Sequence, residues 1–102
     1  MSDDQAIETK IQAKKLNAPR LTPDQIEARI KSEVYCVFPG TSVTVCLLYL
    51  ENGFSVTGES ASVSMENFDV DIGREIARNN AKSKIWSLEG YLLKQRLHEE
   101  SA

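Results

Sequence analysis

The stretch from Asn67 to Leu97 constrains the fold most, because it keeps one helical periodicity throughout and carries two parallel stripes of different chemistry. Gly73, Ala77 and Ala81 recur at four-residue spacing and share a helix face on which another backbone can approach closely. One step round the same helix, Arg74, Arg78 and Lys82 repeat at that spacing as a row of cations. Ile72, Ile76, Ile85, Leu88, Leu92 and Leu97 are the expected core positions. Asn67 or Asp69 can cap the helix, and the Asp71 carboxylate complements the positive end of its dipole. Gly90 weakens a helix interior, so the pattern predicts either one helix of about eight turns or two collinear pieces.

Upstream, Val43–Leu50 and Phe54–Ser62 are apolar and β-branched segments separated by Asn52-Gly53, the strongest short hairpin signal. A two-residue type I′ turn there sets Tyr49 opposite Val56, Leu47 opposite Gly58 and Val45 opposite Ser60. Val45, Leu47, Tyr49, Phe54 and Val56 would then share one face. Cys46, Leu48 and Leu50 make the other face too apolar to stay in water, and two strands alone are marginal. The sheet is therefore expected to be covered by helices and extended by a second subunit. Gly58 marks a bulge, a packing contact or a place where a ligand approaches.

Thr22-Pro23-Asp24-Gln25 has the composition of a capping box with proline at the first helical position. Ile26, Ile30 and Val34 follow at four-residue spacing, which predicts a helix of about three turns ending before Pro39-Gly40. Tyr35–Phe38 suits either its last turn or a short extended piece. Residues 1–21 are polar, with Ile7, Ile11 and Leu16 as the main large apolar positions, and are expected to form a flexible arm or one ordered against a partner. Residues 22–97 form the expected single domain and 98–102 a frayed tail.

The 102-residue chain has a net charge of -3, which argues against a protein that coats nucleic acid over its whole surface. The charge is uneven: from Asp69 to Leu97 six cations face four carboxylates, so this segment stands at +2. No run approaches the roughly 20 apolar residues of a membrane span, and the N-terminus lacks a secretory pattern, so the host cytoplasm is the expected setting. Cys36 and Cys46 have no histidine near them, so neither a metal site nor a cofactor is expected, and both read as small buried apolar residues. The only histidine, His98, lies at the C-terminal end, and no nucleotide-binding loop is present, so the chain is expected not to be an enzyme.

Three blocks carry a family resemblance. Asn52-Gly53-Phe54 through Ser60, Asn67-Phe68-Asp69 with Ile72-Gly73 and Ala77, and Ala81 through Tyr91 together closely resemble the small tailed-phage proteins of the gene product 49/66 family. The resemblance runs from about Thr22 to Leu97 and implies a phage or prophage origin. Phage sponge proteins that sequester cyclic nucleotide or cyclic ADP-ribose immune signals, including the Thoeris anti-defence type, are similar in size and in carrying a hairpin with long helices.

The expected fold is α+β: an N-terminal helix, a two-stranded antiparallel hairpin and a long C-terminal helix, assembled as a homo-oligomer through Gly73, Ala77 and Ala81. The expected function is non-catalytic capture of a small anionic nucleotide signal. Asn67 would meet a base edge, Phe68 would stack on it, and Arg74, Arg78 and Lys82 would hold the phosphates. Trp86 is either core or a further stacking surface. The competing readings are a solvated cationic face paired with Asp71 and Glu75, and an adaptor that inhibits a host protein through its helices or its N-terminal arm.

Overall fold

The computed structural model describes residues 3–14 and 18–101; Leu16 of the expected arm lies outside them. Helix α1 spans Asp3–Ala13, α2 Pro23–Ala28 and α3 Val70–Glu100, while strands β1, β2 and β3 span Ile30–Val37, Thr44–Leu50 and Ser55–Ser60. A single 3-10 turn, Met65–Asn67, precedes α3. The strands form an antiparallel meander in the order β1-β2-β3, and α3 crosses one face of it.

The first correction concerns β1. The capping box at Thr22 is present, with the Thr22 hydroxyl accepting from Gln25 N and the Gln25 side chain accepting from Thr22 N. The helix it starts is nevertheless only six residues long, and Ile30 and Val34 lie on a strand. The four-residue spacing of Ile26, Ile30 and Val34 coincides with a period of two over Val34, Cys36 and Phe38, and pairing with β2 decides between them. Satisfying every backbone group of β2 on both sides outweighs three more helical turns on a segment of β-branched and aromatic residues. The sheet therefore has three strands within one chain.

The second correction concerns register. Leu50 N donates to Phe54 O at 2.8 Å and Gly53 N donates to Leu50 O at 3.0 Å, which closes a three-residue loop, Glu51–Gly53. Gly53 takes φ +92°, the left-handed residue that ends such a loop, and Asn52 Oδ1 accepts from Phe54 N at 2.9 Å. Compared with a two-residue turn, the partners shift by one: Leu48 faces Val56, Cys46 faces Gly58 and Thr44 faces Ser60. A shift of one residue turns the whole second strand over. Cys46, Leu48, Leu50 and Val56 thus lie beneath α3, and Val45, Leu47 and Tyr49 lie on the other face with Ser55, Thr57 and Glu59.

The third correction concerns the core face of α3. Ala77, Ala81 and Ile85 are completely buried, while Ile72, Ile76, Leu88 and Leu92 are exposed. Of the expected core positions Ile85 is buried as expected, but beyond it the small residues Ala77 and Ala81 meet the sheet in place of Ile72, Ile76, Leu88 and Leu92. The reason is Gly58: a Cβ placed there would lie 2.2 Å from Ala81 N and 2.3 Å from Ala77 O. Helix and strand backbones touch at this crossing, so only small side chains fit on both sides. The neighbour that the stripe admits is the chain's own β3. Ser60 Oγ donates to Gly73 O at 2.7 Å and Asn80 Nδ2 to Glu59 O at 2.8 Å, fastening the helix along the strand.

α3 continues through Gly90 without a break, with Asp69 as its N-cap. Cys46 is buried as expected, but Cys36 is exposed on the outer face of the sheet. Among the described residues, no helix is long and apolar enough to cross a membrane.

Candidate functional site

The cationic row of α3 runs along the β1 side of the helix, above Glu33 and Tyr35, and next to α2. Arg78 makes a two-pronged contact with Glu27, Nη1 to Oε2 at 3.1 Å and Nη2 to Oε1 at 3.0 Å, and its Nε donates to Glu33 Oε1 at 2.8 Å. Lys82 Nζ lies 2.6 Å from Glu27 Oε2 and 4.0 Å from Asp4 Oδ2 on α1. The Lys82 side chain is only 4% exposed. Asp4 Oδ2 also accepts from Trp86 Nε1 at 3.0 Å, and Tyr35 donates its hydroxyl to Glu33 Oε2 at 2.8 Å.

Three carboxylates, Asp4, Glu27 and Glu33, therefore surround two cations, Arg78 and Lys82. The group as a whole does not attract an anion. Its electrostatics follow from that pairing. Hydrogen bonding from Arg78, opposed by burial and reinforced by Lys82, lowers the Glu27 carboxyl to about 2. Arg78 likewise holds Glu33 below the ordinary carboxylate range. Burial, with Glu33 accepting the phenol proton in a hydrogen bond, pushes the Tyr35 hydroxyl well up, and burial also raises the Cys46 thiol. Both groups are thus held protonated at neutral pH.

Arg74 is different. Its guanidinium carbon stands 5.2 Å from the centre of the Tyr35 ring, and no carboxylate of the described residues forms a salt bridge with it. It is exposed, as is Asn67 on the 3-10 turn, whereas Phe68 is half-buried. The Phe68 ring lies against Gly73: a Cβ there would be 3.4 Å from Phe68 Cε1. Thus Phe68 and Arg74 stand at the start of α3, while Arg78 and Lys82, one and two turns on, belong to a separate charge cluster. The helix N-terminus offers less than expected, since Asp69 Oδ1 already accepts from Ile72 N at 3.0 Å.

Sequence reasoning missed the partners that neutralise the row. Glu27 and Glu33 lie 51 and 45 residues from Arg78, beyond the reach of any spacing rule within the helix. Asp71 and Glu75, the expected partners of the cations, form no salt bridge among the described residues. Trp86, half-buried, is tied by its indole N–H to α1, and a cleft of about 260 Å³ beside it is lined by Ile7, Glu8, Ile11, Leu21 and Pro23.

Residues 21–97 match the model of the phage protein (N4 Gp49/phage Sf6 gene 66) family. The chain belongs to this family. The match takes in α2, the three strands and α3 as far as Leu97, and it leaves out α1, so the Gp49/gene 66 portion is the sheet with its covering helix. Glu27, Glu33, Tyr35, Arg74, Arg78 and Lys82 all fall within the matched region, whereas Asp4 precedes it. No curated protein and no solved structure matches this member of the Gp49/gene 66 family.

Proposed function

We propose that this phage protein is a non-catalytic binding protein that captures a small anionic nucleotide signal of the host, of the cyclic oligonucleotide or cyclic ADP-ribose type. The observation that supports this is Arg74, whose guanidinium stands over the Tyr35 ring with no carboxylate partner among the described residues. A guanidinium standing over an aromatic ring, with no carboxylate on it, keeps its N–H fork free for a phosphate. Phe68 and Asn67 stand at the same end of α3. Arg78 and Lys82 take a supporting part in this reading, by anchoring α2 and β1 to the helix that carries Arg74.

The test is a thermal-shift and calorimetry series with cyclic dinucleotides, cyclic trinucleotides and cyclic ADP-ribose isomers. A ligand at 100 times its Kd should add about 2.7 kcal/mol to the native state. Arg74→Ala should then weaken binding by roughly 1.5–3 kcal/mol, the range for hydrogen bonds to charged groups. Lys94→Ala, five turns along α3, should leave binding unchanged. No stabilisation by any of these ligands, or equal binding by wild type and Arg74→Ala, overturns the reading.

A second reading, an adaptor that binds a host protein, would use the outer face of the sheet rather than the helices or the N-terminal arm. The outer sheet face carries Val34, Cys36, Val45, Leu47 and Tyr49 across two strands, and no element of the described chain covers it. Contiguous apolar surface of this kind is a common mark of protein contact. Under this reading Leu47→Glu with Tyr49→Glu should abolish co-purification of a host protein, and none of the nucleotides should stabilise the chain.

A further inference from the structure

We infer that the C-terminal half of α3 pairs antiparallel with the same segment of a second copy, about a two-fold axis between Tyr91 and Leu92. The sheet ends before the helix does. The face that covers the sheet through Ala77, Ala81 and Ile85 continues along the helix as Leu88 and Leu92, which are 39% and 56% exposed. With Lys84, Tyr91, Gln95 and Glu99 these make one stripe at three- and four-residue spacing, exposed throughout. The opposite side of this half is already used: Glu89 pairs with Arg29 at 3.0 Å, and Leu21 stands 4.0 Å from a Cβ placed at Gly90. The exposed large apolar residues of this half, Leu88, Tyr91 and Leu92, all lie in this stripe, and its helix projects from a molecule 54 Å long.

The order of residues in the stripe identifies the occupant. It reads cation, apolar, aromatic, apolar, amide, anion: Lys84, Leu88, Tyr91, Leu92, Gln95, Glu99. Two antiparallel copies in which Tyr91 faces Leu92 of the partner subunit bring Leu88 opposite the partner's Gln95. They also bring Lys84 opposite the partner's Glu99. Apolar residues then meet at the middle, and both ends close with opposite charges. A parallel pairing would instead set like charges against each other at both ends. The contact extends over about 22 Å of helix, and it runs into the cleft of about 450 Å³ where Phe54, Val56 and Thr57 face Lys84, Ser87 and Leu88. Phe54, 55% exposed at the hairpin tip, lies at the edge of the same surface. The pairing is isologous, so it closes as a dimer rather than growing into a filament.

Sedimentation equilibrium on the full chain tests this. Wild type should be a dimer at micromolar concentration, and Leu88→Glu with Leu92→Glu should raise the dissociation constant at least tenfold while circular dichroism stays unchanged. Lys84→Glu alone should weaken the dimer, and Lys84→Glu combined with Glu99→Lys should restore it. A monomer at 100 times micromolar concentration, a dimer indifferent to the Leu88/Leu92 substitutions, or a charge swap that restores nothing each overturns the proposal. Because Arg74 lies outside the stripe, failure here leaves the Arg74→Ala binding test to be decided by itself.

Discussion

Glu27 shows how much one side chain can hold in this structure. It accepts from both prongs of Arg78 and sits 2.6 Å from a nearly buried Lys82, so it joins α2 to α3. Its carboxyl, ordinarily near 4.5, is lowered to about 2 in the fold, chiefly by Arg78. A group depressed on folding contributes stability that is fully present above its ordinary value and is lost as pH falls through the folded value. The native state should therefore lose stability between about pH 4.5 and pH 2 through Glu27, with Glu33 acting in the same direction. Glu27→Gln should melt several degrees lower at pH 7, because Lys82 loses its closest partner. Its melting temperature should fall less than that of wild type from pH 5 to pH 2.5. Parallel pH profiles for the two proteins would mean that the pairing is worth little in solution.

The contact between α3 and β3 decides the fold at the level of elements. Both backbones meet at Gly58, and Ala77 and Ala81 are small for that reason. Gly58→Ala inserts a methyl group where the nearest atoms are helix backbone, 2.2 and 2.3 Å away, and neither can rotate aside. The helix must lift off the sheet, with a cost of about 1–3 kcal/mol or more from overpacking. For a domain of this size that corresponds to a drop of about 4–8 °C in Tm per kcal/mol. A thermal melt unchanged by Gly58→Ala would show that α3 does not cross β3 there. The helix itself was legible from the sequence, as was the small-residue stripe, while the choice of Asp69 over Asn67 as its cap was made by the structure. The identity of its neighbour was not, because a close-approach stripe records that a backbone comes near and not whose backbone it is.

At the scale of the whole molecule, α1 is attached to the domain by polar links. Trp86 donates to Asp4, Lys82 lies within 4.0 Å of the same carboxylate, and Glu8 pairs with Arg20. The segment expected as a flexible arm instead contains a helix resting beside Trp86, with Ile7 and Ile11 turned to the cleft there. Trp86→Phe removes the indole donor and keeps most of the ring. Amide exchange should then accelerate about tenfold or more in residues 3–13, consistent with the loss of a hydrogen bond to a charged group. Exchange in the strands and in α3 should hardly change. Uniform acceleration across the chain would mean that α1 is part of the core rather than attached to it.

Local features were settled by the sequence alone. The capping box at Thr22, the hairpin at Asn52-Gly53 and the long helix after Asp69 each depend on hydrogen bonds and periodicities that close within a few residues. The family affiliation was legible for the same reason, in three short blocks. What only the tertiary structure decided are the long-range pairings. Ile30–Val37 became a strand because β2 needed a second neighbour, and the hairpin register moved by one because Gly53 ended a three-residue loop. Arg78 and Lys82 were neutralised by carboxylates more than 40 residues away or on another helix, which left Arg74 as the cation of the row without such a partner among the described residues. Charge and period can be read along a chain, but the partner that satisfies them is chosen by packing in three dimensions.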